Sequence, residues 1–406
     1  MKVLLVNQAF VSPNEPGHTR HFELARHLQH AGHHLIIIGS DLNYQTGQKI
    51  LKHRGLSAWQ EVEGVQILRA SILPALHHSY FLRVLSFISF MFSSIAASFK
   101  VRDVDLVMAT TPPLFQAFAT WLIAAIRRKP FLLEVRDLWP EFAIGMGVIK
   151  SRLVITLSRW LESFLYARAS IILVNSPAYV DYLKTRGVPP AKVRYIPYGT
   201  DTRMFHPSIL PGDLRERLHL AGKFVALYAG ALGAANDIPT LLQAAALLQD
   251  KPDFRLALLG DGKERPNLEA EARRLGLSNI VFAGAIPKSA MPGAIACADV
   301  CLAILQDIPM FRTTYPNKVF DYMASGKPTV LAIDGVIRQL VEEAHGGVAV
   351  PPGNPAALAQ CLSQLMEDPK GLQQMGLNAR EYICRHMDRN DKMEETLAIM
   401  LGMVHK

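Results

Sequence analysis

Residues 224–248, FVALYAGALGAANDIPTLLQAAALL, decide the fold of this 406-residue chain. An apolar run, Phe224–Ala229, ends in a glycine-rich loop, GALGAAND (230–237), which leads into a helical pattern. The run lacks polar alternation, so both faces of the strand are buried, as in a parallel sheet covered by helices on each side. The same unit recurs in both directions. Downstream, strands are expected at Val225–Ala229, Arg255–Leu259, Ile280–Ala283, Val300–Ile304, Thr329–Ile333 and Val348–Val350. Upstream they are expected at Val3–Asn7, Leu35–Gly39, Val65–Arg69, Leu106–Ala109, Phe131–Val135, Ile171–Val174 and Val193–Ile196. Thirteen strands exceed one comfortable sheet, and the alternation restarts near residue 223. The Pro/Gly/Asp-containing stretch PYGTDTRMFHPSILPGD (197–213) reads as the linker. The pattern predicts an α/β chain of two doubly wound domains facing a cleft, with a helical segment from Pro369 to Lys406.

Composition narrows the partners. Apolar residues make up 50% and charged residues 19%, which excludes global disorder and permits a large core. The four cysteines, Cys297, Cys301, Cys361 and Cys384, are too sparse for a disulfide scaffold and read as buried thiols. The opening MKVLLVNQAF is too short for a signal-peptide core and reads as a first strand, so a cytoplasmic protein is expected. Residues 1–200 hold 22 Lys and Arg against 12 Asp and Glu, whereas residues 201–406 hold 21 against 23. A basic half beside a near-neutral half points to an anionic partner of the first. No nucleic-acid motif supports nucleic acid, leaving a membrane or a phosphorylated substrate.

Residues 84–99, VLSFISFMFSSIAASF, are uncharged but fall short of the ~20 residues needed to span a bilayer. They read either as a buried helix or as a helix in the membrane interface, with Phe87, Phe90 and Phe92 among the lipid-facing candidates.

Ligands of open α/β sheets sit at the carboxyl ends of the strands. After the first strand, Pro16-Gly17 precedes an amphipathic helix, and Gly17 permits close approach of a diphosphate to free N–H groups. In the second half, four loops share one edge. The first is GALGAAND, with Gly230, Gly233 and Asn236; the second is Gly260-Asp261-Gly262, with Lys263 and Arg265 behind it. The third is AGAIP (283–287), with Ile286, and the fourth is TTYPNKVFDYMASGKP (313–328), with Thr313, Asn317, Lys318 and Asp321. Cations and helix N-termini there suit phosphates, and the Asp321 carboxylate suits two ribose hydroxyls. No P-loop or dinucleotide glycine fingerprint is present. Asp103-Val104-Asp105 lies at a strand entrance, away from the ligand edge, and reads as a decoy for a metal site.

Taken together, IPYGTD (196–201), YAGALG (228–233), LLGDGKE (258–264) and YPNKVFDYMASGKP (315–328) resemble the family 4 glycosyltransferases. FLLEVRDLWPE (131–141) is similar to a bacterial subgroup that builds surface polysaccharides, including fucosaminyl- and other amino-sugar transferases. The resemblance implies the GT-B fold, two facing Rossmann-like domains. It implies an acceptor-binding domain over 1–200 and a nucleotide-sugar-binding domain over 201–369. A helical tail over 370–406 is left free to cross back to the first. The implied activity is hexosyltransferase-type transfer with retention, from a UDP donor carrying an amino or deoxy sugar. The implied acceptor is an oligosaccharide or a sugar on a polyprenyl diphosphate, in O-antigen, lipopolysaccharide or capsule synthesis. No metal and no cofactor are expected, and the protein would lie on the inner face of the cytoplasmic membrane.

The chain departs from the family at several positions. The family's diphosphate-gripping Arg and Lys match Ala231 and Asn236, and its paired glutamates match Thr313 and Asp321. Lys318 and Arg265 are the expected replacements. The family's His-Asp matches Arg136-Asp137, expected to act in catalysis with Lys318. A nucleotide-sugar 2-epimerase, an inactive partner subunit of a glycosylation complex and a two-domain sugar receptor are the alternatives.

Overall fold

Apolar continuity places strands where both faces can be covered, and the computed structural model follows that rule. It describes residues 1–406 except 14, 16–18, 45, 75–79, 213 and 406, and except the side chains of Tyr80 and Phe81. Two compact units divide it: Met1–Ile196 together with Met393–Lys406, and Pro197–Lys392.

The first unit holds β1 (Lys2–Val6), β2 (His34–Ser40), β3 (Ser57–Val62), β4 (Val65–Ala70), β5 (Leu106–Thr111), β6 (Phe131–Val135), β7 (Ile171–Val174) and β8 (Val193–Tyr195). They form one sheet in the order β3-β4-β2-β1-β5-β6-β7-β8. Val3–Val6 and Leu106–Met108 are fully buried, each side chain contributing about 1.5–3 kcal/mol on leaving water. All thirteen expected strands are present. The addition is β3, which pairs antiparallel with β4 through a two-residue turn at Glu63 and Gly64, both at positive φ. Its polar, alternating SAWQEV suits a half-exposed edge, which a search for continuous apolar runs passes over. The sheet is therefore not wholly parallel. Asp105, one of the decoy acids, accepts the Lys2 backbone N–H at 2.8 Å and joins the starts of β1 and β5.

The second unit holds β9 (Phe224–Ala229), β10 (Phe254–Leu259), β11 (Ile280–Gly284), β12 (Val300–Ile304), β13 (Thr329–Ala332) and β14 (Gly347–Ala349), all parallel. Their order is β11-β10-β9-β12-β13-β14. Strand order reverses between β9 and β12, and between β1 and β5 in the first unit. At such points the flanking loops diverge and leave a crevice.

Two boundaries differ from expectation. The stretch 197–212 is no free linker: Phe205 lies in the core of the second unit, and Arg380 donates to its carbonyl at 2.7 Å. The helical tail is broken and divided. Helix Pro369–His386 gives Ala379 and Ile383 to the second core, whereas helix Arg389–Val404 gives Met393, Leu397 and Met400 to the first. The Thr202 hydroxyl donates to the Asp388 carboxylate at the break.

The phenylalanine-rich stretch forms helix Tyr80–Ser98. Phe90 is fully buried, so it belongs to the core and not to a lipid-facing surface, because helical periodicity turns it onto the sheet. Phe87 is half-buried and Phe92 is 64% exposed. Among the described residues, no helix is long and apolar enough to cross a membrane. Cys297, Cys301 and Cys361 are buried, and Cys384 is exposed, contrary to the expectation for it.

Candidate active site

At the switch point of the second unit, β9 ends in Gly230, whose φ of +156° is left to glycine. A Cβ there would run into the Lys318 ammonium, and a Cβ at Gly260 would overlap the Gly230 carbonyl oxygen. Bare backbone at both positions lets the loops after β9 and β10 close on each other. Gly230 N–H donates to Leu259 O at 2.8 Å, Gly260 N–H to Gly284 O at 2.8 Å, and Leu232 N–H to Asp261 O at 3.0 Å. Gly233 accepts the Asn236 N–H at 3.0 Å, and Gly262 donates to the Asp261 carboxylate at 2.8 Å.

Helix Asn317–Ala324 opens on this edge with Asn317 and Lys318 in its first turn. Tyr322 fixes its position. The hydroxyl accepts the Ala229 N–H at 2.9 Å and donates to the Ala229 carbonyl at 3.1 Å, tying the helix to the end of β9. One turn earlier, Lys318 lies with its Nζ 3.9 Å from the centroid of the Tyr228 ring. No carboxylate pairs with it among the described residues, and burial pushes its pKa down to about 7. A desolvated ammonium over an aromatic face, beside a glycine loop, has the chemistry to receive an anion.

The other expected donor-site residues divide. Asp321 stands on the same helix, and its carboxylate accepts the Thr200 hydroxyl at 2.5 Å. Arg265 begins helix Arg265–Arg274 but is engaged by Glu269 at 2.8 Å and Asp261 at 4.0 Å, which raise its pKa. Thr313 donates to the Met310 carbonyl at 2.6 Å within its own turn. Ile286 packs against the core beyond β11. Gly17 lies outside the described residues. Sequence reading missed Tyr228, Tyr322 and Thr200. Tyr228 carried a signal, a polar-tipped aromatic two residues before the loop glycine.

The first unit builds a different edge. Glu134, one residue from the end of β6, is buried and bonds both Arg20 and His21, the latter at 2.9 Å. His21 Nδ1 accepts from the Asn7 amide at 2.9 Å, so the neutral ring with its proton on Nε2 satisfies both neighbours. Desolvation lowers the His21 pKa to about 4; burial alone would raise the Glu134 carboxyl, but the Arg20 guanidinium, the hydrogen bond from His21 and the nearby Arg136 hold it far below the usual carboxylate range. Arg136 follows β6, its N–H donating to Thr111 O at 3.0 Å and its guanidinium reaching Pro112 O at 3.4 Å. Its buried Nε has no partner among the described residues. Asp137 beside it is exposed. A charge inside the apolar strand FLLEV was the available signal for Glu134.

Comparison with known proteins agrees with this layout. Residues 17–199 match the family model described as "Glycosyl transferase 4-like domain", and residues 223–368 match "Glycosyl transferases group 1". WcaI of Escherichia coli K12, named as a colanic acid biosynthesis glycosyl transferase, is 25% identical over 94% of this chain and 95% of its own. WbjE of Pseudomonas aeruginosa, named as a glycosyltransferase, is 24% identical over 69% of this chain and 70% of its own. The crystal structure of HepE from Anabaena in complex with UDP superposes with a TM-score of 0.73 at 20% identity, covering 99% of this chain and 100% of that one. With two α/β domains of the GT-B fold and transferase models over both, the chain belongs to the glycosyltransferases of family 4 type.

Proposed function

We propose that this enzyme transfers an amino or deoxy sugar, with retention, from a UDP donor to an acceptor in surface-polysaccharide synthesis. The acceptor would be an oligosaccharide or a sugar on a polyprenyl diphosphate. The observation that carries the donor reading is Lys318, unpaired among the described residues and held over Tyr228 at the β9–β12 crevice. HepE, whose structures hold UDP and UDP-glucose, and WcaI, named for colanic acid, support the nucleotide and the pathway class.

When the donor bond breaks, negative charge grows on the departing diphosphate. Lys318 and the N-terminal turn of helix Asn317–Ala324 would stabilise it, a positioned donor being worth about 3–4 kcal/mol. The leaving phosphate oxygen takes the acceptor proton, so neither a metal nor a cofactor is needed. Asp321 would exchange its bond to Thr200 for the ribose hydroxyls, and Arg265 would take a second place at the phosphates. Arg136 and Asp137 would meet the transferred sugar. The basic first unit would dock on the inner face of the cytoplasmic membrane.

A thermal-shift screen of UDP, GDP, dTDP and their sugars tests the donor. UDP and UDP-sugars should raise the midpoint most, and a response to GDP alone would replace the base assignment. Asp321→Ala should weaken UDP binding by about 1–3 kcal/mol by calorimetry. Unchanged affinity in the folded variant would remove Asp321 from the site. Transfer or donor hydrolysis by the isolated chain separates this reading from an inactive subunit.

A further inference from the structure

Helix Arg152–Arg168 carries its apolar stripe on the wrong side for a soluble protein. Leu153, Leu157 and Trp160 are 68%, 55% and 62% exposed, and with Phe164 they follow the i, i+4, i+7, i+11 spacing of one helical face. The buried side carries Glu162 and Tyr166 beside Leu165. Glu162 there accepts the hydroxyls of Tyr166 at 2.9 Å and Tyr182 at 3.1 Å and the Arg186 guanidinium at 3.0 Å. These bonds fix the rotation of the helix, so the apolar stripe cannot turn inward without stranding a buried carboxylate.

The stripe continues onto helix Leu114–Arg127, which packs alongside. Phe164 meets Trp121 edge-on at 4.7 Å and Phe118 at 6.1 Å, and stacks with Trp160 at 5.7 Å. Exposed Lys150, Arg152 and Arg168 border it, and the Arg168 guanidinium lies 5.3 Å from the Phe164 ring centroid. Between residues 143 and 170 the one acidic residue is Glu162, which is buried.

We propose that this Trp160-centred face of helix Arg152–Arg168, rather than helix Tyr80–Ser98, seats the first unit on an anionic lipid bilayer. The inference rests on the membrane docking proposed above and assigns its surface. Tryptophan with flanking arginines suits the headgroup boundary, where the ring enters the acyl edge and the cations meet lipid phosphates. A second copy of the chain is a poorer occupant, because two-fold self-contact would bring the same arginines together.

The test is sedimentation of the full chain with vesicles of phosphatidylcholine alone or mixed with phosphatidylglycerol, at low and high salt. Binding should require phosphatidylglycerol and weaken with salt. The Leu153→Ser/Leu157→Ser/Trp160→Ser variant should lose about tenfold or more of its bound-to-free ratio, whereas Phe92→Ser should lose less than about twofold. The reverse ranking overturns the surface assigned here and leaves docking intact. No binding by the unaltered chain defeats both. A dimer that dissociates in the triple variant, without vesicle binding by either protein, assigns the face to a second copy. Should the triple variant misfold, brominated phosphatidylglycerol decides the question. It should quench the unaltered protein, and Trp160→Phe should remove most of that quenching; quenching that persists overturns the proposal.

Discussion

The two units end their central strands in opposite ways. At the edge of β9 the chain presents bare glycine backbone and a lysine that no carboxylate neutralises among the described residues. At the edge of β6 the Glu134 carboxylate is answered from within, ion-paired with Arg20 and hydrogen-bonded by the neutral His21. Similar sheets thus carry different electrostatics. One edge lacks a compensating carboxylate among the described residues, and it is where the proposed donor diphosphate would bind. The other is satisfied internally and gains rigidity, leaving Arg136 and Asp137 beyond it as the groups that face outward.

The largest expected effect probes the self-satisfied edge. Glu134→Ala leaves two cationic or polar partners buried without their carboxylate and should cost about 3–5 kcal/mol in urea unfolding. UDP affinity of the molecules that remain folded should be unchanged. A loss below about 1 kcal/mol would mean the cluster is open to solvent and the contrast is wrong. The pH dependence has the same sign for both groups. His21 and Glu134 each have a folded pKa below the unfolded one, so their stabilisation is present near neutrality and declines in acid. The decline begins below about pH 6.5 as unfolded histidine protonates, is complete for His21 near pH 4, and continues below about pH 4.5 through Glu134.

Next comes the glycine edge. Gly260→Ala forces a φ of +141° on alanine and drives its methyl into the Gly230 carbonyl. The conformation alone should cost about 1–3 kcal/mol, and the UDP-induced rise in melting temperature should vanish. Gly233→Ala is the control, since nothing lies within 4 Å of its Cβ; its stability should stay within about 0.5 kcal/mol. Equal behaviour of the two variants would show that the loops need no close approach.

The lysine itself sharpens the contrast most. Lys318→Ala should weaken UDP by about 1.5–3 kcal/mol and uridine hardly at all, because only UDP carries the diphosphate. The lysine pKa of about 7 rises when an anion binds. Below pH 7 the lysine is already charged; above it, each binding event must take up a proton. UDP affinity should therefore fall with rising pH by up to about tenfold per unit, a trend that Lys318→Ala abolishes. Calorimetry across pH 6–9 reads both. A pH-independent affinity would place the ammonium away from the phosphates.

Much of this was written locally. Continuous apolar runs such as LLV and LVMA bury both faces of a strand wherever they fall, so the strands, their parallel sense and the two-domain division follow from patterning. The glycines of 230–233 and 260–262, with Lys318 and Asp321 on the next helix, were legible because backbone conformation and helix position are short-range properties. Tertiary structure decided the rest. Only the tertiary structure could show that Lys318 meets no carboxylate among the described residues while Arg265 is held by Glu269, since in sequence both are simply cations at a helix start. Only packing could turn Phe90 inward and Trp160 outward, because an apolar residue on a helix does not state which face meets the sheet. The same holds for Thr200 beside Asp321 and for the division of the C-terminal helices between the units. Partners distant in sequence are chosen by the free energy of the whole core, and no local window contains that choice.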